Sequence, residues 1–168
     1  MVLGLIILLS ELLLPVHTQP TSLYAYTKKR ADKVLNKYWP GDEFTLTRKA
    51  VPLAKPIEIY EIKQGNSTPF AYVLFDEAPS KVDTFIYLVI FDSHGVIEKV
   101  AVLLYKENYG GEIASKRFLS QFVGKANGQS MQYTKDIDGI SGATLSARSI
   151  TLAIRKNSMI FSELIKKF

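Results

Sequence analysis

Residues 138–146 read DGISGATLS, with hydroxyl side chains at Ser141, Thr144 and Ser146 and small residues around them. This combination suits the holding of a phosphate. The first turn of a helix offers amide hydrogens with no intrahelical partner and a partial positive charge, and both favour an anion. An amphipathic pattern follows at once, so Ser146 is expected in such a turn with its hydroxyl beside those amides. Gly139, Gly142 and Ala143 carry little or no side chain, which lets a bulky group approach the backbone. Arg148 adds a cation within reach. A structural alternative uses the same residues: a serine or threonine ahead of a helix caps its amides, and glycine lets the chain turn. Capping justifies Ser141 and Gly142 but not the recurrence of hydroxyls at 144 and 146.

The elements that position this stretch follow from periodicity. Residues 22–38 place Leu23, Tyr26, Ala31, Val34, Leu35 and Tyr38 at three- and four-residue spacings, which predicts an amphipathic helix stopped by Trp39-Pro40-Gly41. Residues 43–51, 57–63, 70–75, 84–91 and 96–105 read as strands, separated by turn chemistry at Pro52, Pro56 and Gly65-Asn66-Ser67. Asp92-Ser93-His94-Gly95 joins two strongly apolar runs and predicts a tight hairpin. Beyond Gly110-Gly111, Ile113, Phe118, Leu119, Phe122 and Val123 fall on one helical face, ended by Gly124. After the motif, Ile150, Ala153, Ile154, Ile160, Phe161, Leu164, Ile165 and Phe168 predict a long final helix. The expected architecture is α+β, an antiparallel sheet with helices packed on one side.

The 168 residues suit a single domain behind an N-terminal hydrophobic segment. Lys and Arg number 21 against 16 acids, a net charge of +5 that is scattered instead of forming the basic, aromatic-interleaved stripe of a nucleic-acid binder. There is no cysteine, hence no disulfide, thiol centre or acylation site. Residues 2–16 (VLGLIILLSELLLPV) are apolar except for Ser10 and Glu11, shorter than the roughly 20 residues of a membrane span. Residues 1–25 are therefore read as a signal sequence or membrane anchor, the nearest thing to a cleavage end being Leu23-Tyr24-Ala25, and residues 26–168 as the domain. The cluster Lys28-Lys29-Arg30 follows the run instead of preceding it. His17 and His94 receive no role, and no zinc signature, nucleotide-binding glycine loop or nucleophile elbow occurs.

DGISGATLS resembles the flavinylation motif of the FMN-binding domain family: Asp, two or three variable residues, Ser/Thr-Gly-Ala-Thr, one more residue, then Thr or Ser. Asp138 takes the acid, Ser141-Gly142-Ala143-Thr144 the tetrad and Ser146 the final hydroxyl, with Gly139 and Leu145 at intervening positions. Residues 84–125 are similar to the family's hairpin with an Asp-x-x-Gly turn, its His-x-Glu-Thr-type motif, a glycine pair and a helix ending Phe-x-x-Gln-Phe-x-Gly-Lys. The likeness covers about residues 84–156. Tyr105 and Asn108 stand where the family has histidine and threonine, Glu107 is retained, and the acceptor is serine where threonine is commoner.

The resemblance implies covalent FMN, esterified through its phosphate to Ser146 by a flavin transferase that uses FAD and Mg²⁺. It implies cofactor contacts from Asp138, Gly139, Ser141, Gly142, Ala143, Thr144, Leu145, Glu107 and Tyr105, with Tyr105 or Tyr109 open to stacking on the ring or to packing in the core. It further implies an extracytoplasmic electron carrier, in the periplasm or at the cell surface, instead of a free-standing enzyme. Its partners would be membrane redox proteins or a quinone-linked complex, as for the C subunit of the sodium-translocating NADH:quinone reductase and the G subunit of the Rnf complex. Two other readings keep the fold: a module that holds FMN noncovalently, and a membrane-associated adaptor that has lost the cofactor.

Overall fold

The computed structural model describes residues 22–51 and 57–167. The apolar run at 2–16, His17, Pro52, Pro56 and Phe168 lie outside the described residues.

The expected strands form as β1 (Thr45–Lys49), β2 (Glu58–Lys63), β3 (Ala71–Pro79), β4 (Thr84–Asp92) and β5 (Ile97–Leu104). They pair antiparallel in the order β1-β2-β3-β4-β5, a meander in which each strand neighbours the next in sequence. The β4–β5 hairpin closes as expected. Asp92 Oδ1 accepts from the amides of His94 and Val96, both at 2.8 Å, and Gly95 supplies φ +85°. A three-residue loop ending in a left-handed glycine matches the twist of the flanking strands.

The α+β architecture is as expected, but helices cover both faces of the sheet and not the one side expected. On β4, Phe85, Tyr87, Val89 and Phe91 face one side and Ile86, Leu88 and Ile90 the other, all buried. Successive side chains alternate between faces, so an unbroken apolar run requires cover on both. α1 (Leu23–Tyr38) covers the second face through Ala31 and Leu35, which pack with Ile62, Val73, Phe75, Ile86, Leu88 and Ile90. α3 (Thr144–Leu164) covers the first through Ala147, Ile150, Ile154 and Phe161, and the Phe161 ring stacks on Phe91 at 4.4 Å. Each large side chain buried this way contributes about 1.5–3 kcal/mol.

Residues 23–25, counted with the leader on sequence grounds, belong to α1. Ser22 caps the helix through the Ala25 amide, and the amides of Leu23 and Tyr24 donate to the Glu58 carboxylate at 2.9 and 3.2 Å. A carboxylate at a helix N-terminus answers both the free amides and the dipole. Tyr24 then packs against Tyr60 and Phe75, anchoring this end to the sheet.

The helix expected over 113–123 is broken. Ser115 is extended (ψ 140°) and caps α2 (Lys116–Leu119) by accepting from the Phe118 amide, while short 3₁₀ turns run over Gly111–Ala114 and Ser120–Phe122. Serine competes with the helix ladder for backbone groups and ends it locally. Ile113, Phe118, Leu119 and Phe122 are buried all the same, whereas Val123 is exposed.

One polar cluster sits inside the core under α3. Asn157 Nδ2 donates to Asp76 Oδ2 at 2.8 Å and to the Tyr87 hydroxyl at 2.9 Å, and Tyr87 donates to Asp76 Oδ2 at 3.0 Å. Burial, and then the Asp76 charge, push the Tyr87 phenol well above its ordinary range. Asn157→Ala should lower stability by about 1–3 kcal/mol, because it removes donors from a buried carboxylate. The check is the midpoint of denaturant unfolding, which should fall with the slope unchanged.

Candidate functional site

Among the described residues α3 is the longest helix, at 21 residues, and it begins without a cap. Its N-cap residue is Ala143, no side chain bonds to its first amides, and no acid lies in its first turn. α1 and α2, by contrast, are capped by Ser22 and Ser115. Ser141 is exposed and stands two residues ahead of the N-cap, so the capping expected of it is not realised. Gly142 does take the conformation expected of it, φ +83°, and a Cβ there would lie 3.3 Å from the Glu112 carboxylate. Ala143 and Ala147 are buried, which holds the start of the helix against the core.

The approach to this turn is pinned from α2's side of the fold. The Gln121 side chain brackets the Asp138 backbone: its Oε1 accepts from the Asp138 amide at 2.7 Å and its Nε2 donates to the carbonyl at 3.4 Å. Gly139 lets the Tyr133 hydroxyl come close, to 2.9 Å from where a Cβ would stand. The Asp138 side chain is exposed and makes no hydrogen bond among the described residues.

The two motif hydroxyls within the helix point to different flanks. Thr144 and Leu145 are exposed and line a groove of about 650 Å³ together with Arg148, Leu152, Arg155 and the segment 131–134. Ser146 is only 3% exposed, and its Oγ lies 3.1 Å from the Tyr105 hydroxyl, within hydrogen-bond reach. Arg148 therefore serves the Thr144 side of the turn, not the Ser146 side. The Tyr105 ring packs in the core against Phe85, with centroids 5.5 Å apart, while Tyr109 is 85% exposed. A second groove, of about 530 Å³ between the end of α1 and β5, includes none of these residues.

Tyr105 reaches Ser146 because β5 carries an extra residue near its end. Ile86 pairs with Leu104 but Tyr87 with Val102, a bulge that bends the strand. Glu107, two residues on, clamps the turn between β3 and β4: it accepts from the Ser80 hydroxyl and from the amides of Val82 at 2.9 Å and Asp83 at 3.2 Å. The same turn is tied to α3 where Ser149 Oγ donates to the Pro79 carbonyl. Glu107 thus holds the loop beside the motif in place. Gln121, Glu112, Ser80 and Ser149 were not assigned roles by spacing, because each acts across 17 or more residues or across elements.

The Ser80 hydroxyl, and then the Val82 amide, hold the Glu107 carboxyl below its ordinary value of 4.5. Its clamp is complete above that value and is lost as pH falls through the lowered one. The Val82 amide resonance should therefore titrate below pH 4.5 in the native chain and stay flat in Glu107→Gln.

Residues 81–157, from the turn before β4 through the first two thirds of α3, match the family model of the FMN-binding domain. No curated protein matches the chain. The match takes in the hairpin, the Tyr105–Gly111 segment, the Gln121 bracket and the uncapped helix start as one unit. Residues 81–157 are thus an FMN-binding domain, which supports an FMN-binding flavoprotein.

Proposed function

We propose that the chain is an extracytoplasmic electron carrier whose FMN is fastened through a phosphoester to Ser146. The observation that carries this is the start of α3, where a long buried helix presents its first amides with no capping side chain and no acid in the turn. Helix amides left open in this way suit a phosphate. Gly142 is exposed and carries no side chain to block the turn, and Ser146 stands as the third residue of the helix. When bound, FMN supplies one- and two-electron redox chemistry, and the protein supplies position and electrostatics. A phosphoester keeps that cofactor at the protein irrespective of affinity, which matters for a domain facing an open volume.

Maturation would come from a flavin transferase using FAD and Mg²⁺. Electrons would pass to and from membrane redox proteins or a quinone-linked complex. The apolar stretch at residues 2–16 supports export or anchoring. Among the described residues no helix is long and apolar enough to cross a membrane.

One observation favours a second reading, in which FMN is held noncovalently. Thr144 and Arg148 line the open groove while Ser146 is covered. A phosphate would then rest on the helix amides with Arg148 beside it, and denaturation would release the flavin.

Coexpression with a flavin transferase, followed by denaturing electrophoresis and intact mass, separates the two. The native chain should keep a fluorescent band and gain the mass of one flavin phosphate. Ser146→Ala should lose both and Thr144→Ala should retain them. A full-length chain of unmodified mass would refute the covalent reading.

A further inference from the structure

We propose that Tyr105 is a latch on the acceptor hydroxyl: its phenol occupies the approach to Ser146 Oγ and must leave before that oxygen bonds to phosphorus. This rests on Ser146 being the acceptor. Ser146 is 3% exposed, and the Tyr105 hydroxyl is the group that meets its Oγ, at 3.1 Å. A nucleophile must stand about 3–3.5 Å from the atom it attacks, in line with the leaving group. With the phenol where it is, no phosphorus reaches that distance.

The surroundings of the phenol are shaped to receive it. Gly110 takes φ +86°, and a Cβ there would fall 2.5 Å from the Tyr105 hydroxyl. The first glycine of the pair is thus required for this closed position as well as for the turn. The segment between Tyr105 and Gly110 is held on the 80–83 turn by Glu107 and by the Lys106–Asp83 ion pair at 3.3 Å. Its other side chains, Lys106, Asn108 and Tyr109, are exposed. Swinging the phenol outward breaks the hydrogen bond to Ser146 and gives up the ring's packing on Phe85, while the contacts to the 80–83 turn stay intact.

In the transfer itself, Ser146 Oγ forms a bond to the FMN-side phosphorus of FAD. The pyrophosphate P–O bond to the adenylate breaks, AMP leaves with the electron pair, and the serine proton passes to water. Nothing is oxidised or reduced. Tyr105 is a positioning residue in this scheme, setting the fraction of molecules whose acceptor is open. A transferase that engages only the open form sees an apparent affinity lowered by that fraction.

The test is the rate of flavin incorporation into purified, unmodified chain by a purified flavin transferase with FAD and Mg²⁺, read by intact mass. Tyr105→Phe removes only the hydroxyl and keeps the ring against Phe85. It should raise kcat/KM by roughly two- to twelvefold, the range set by one neutral hydrogen bond, with the gain in KM. Asn157→Ala, which loosens the core away from Tyr105, should leave the rate unchanged. An unchanged or slower Tyr105→Phe, or an equal gain in Asn157→Ala, overturns the latch while Ser146 labelling in the native chain stands. If the native chain and Tyr105→Phe both stay unlabelled, the acceptor reading fails and the latch falls with it.

Discussion

Where α3 begins is set by what α3 buries. Ala147, Ile150, Ile154 and Phe161 are fully buried against Phe85, Tyr87, Val89 and Phe91, and this seam locks the helix to the sheet over several turns. A helix held this firmly keeps its first turn in one place without help from a cap. That is why Ala143 can stand where a serine or aspartate would ordinarily add about 1 kcal/mol. The free amides are the consequence, and the rest of the site is arranged around them.

Polar contacts then register the loops against that turn. Gln121 fixes the backbone at Asp138, Glu107 fixes the turn at 80–83, and Ser149 ties that turn to α3. None of these is worth much as an isolated, partly exposed hydrogen bond. Their value lies in bringing the β3–β4 turn, the end of β5 and the start of α3 to one spot. The buried Asp76–Tyr87–Asn157 cluster joins α3 to β3 and β4 further along the helix and adds stability there.

Thr144 and Ser146 show how one helical turn separates two chemically similar groups. A two-residue step rotates the side chain by about 200°. Thr144 consequently faces the groove with Arg148, and Ser146 faces Tyr105. Tyr105 places its phenol on the Ser146 hydroxyl while its ring packs against Phe85. Gly110 gives that phenol the space it needs.

Much of this was legible in the chain itself. Alternation and turn residues located all five strands and the Asp92–Gly95 hairpin, because strand period and turn geometry are local properties. The motif at 138–146 announced the start of a helix for the same reason. Local spacing did not reveal that Ser115 breaks the 113–123 segment, since a buried face of Ile113, Phe118 and Phe122 survives the break. Nor did it reveal that Ser141 is no cap, or that α1 takes the opposite face from α3. Above all, only the tertiary structure brought Tyr105 across 41 positions to Ser146, through a bulge in β5 and a seat at Gly110. Contacts of that separation are decided by packing, and packing is the one term that no short stretch of sequence contains.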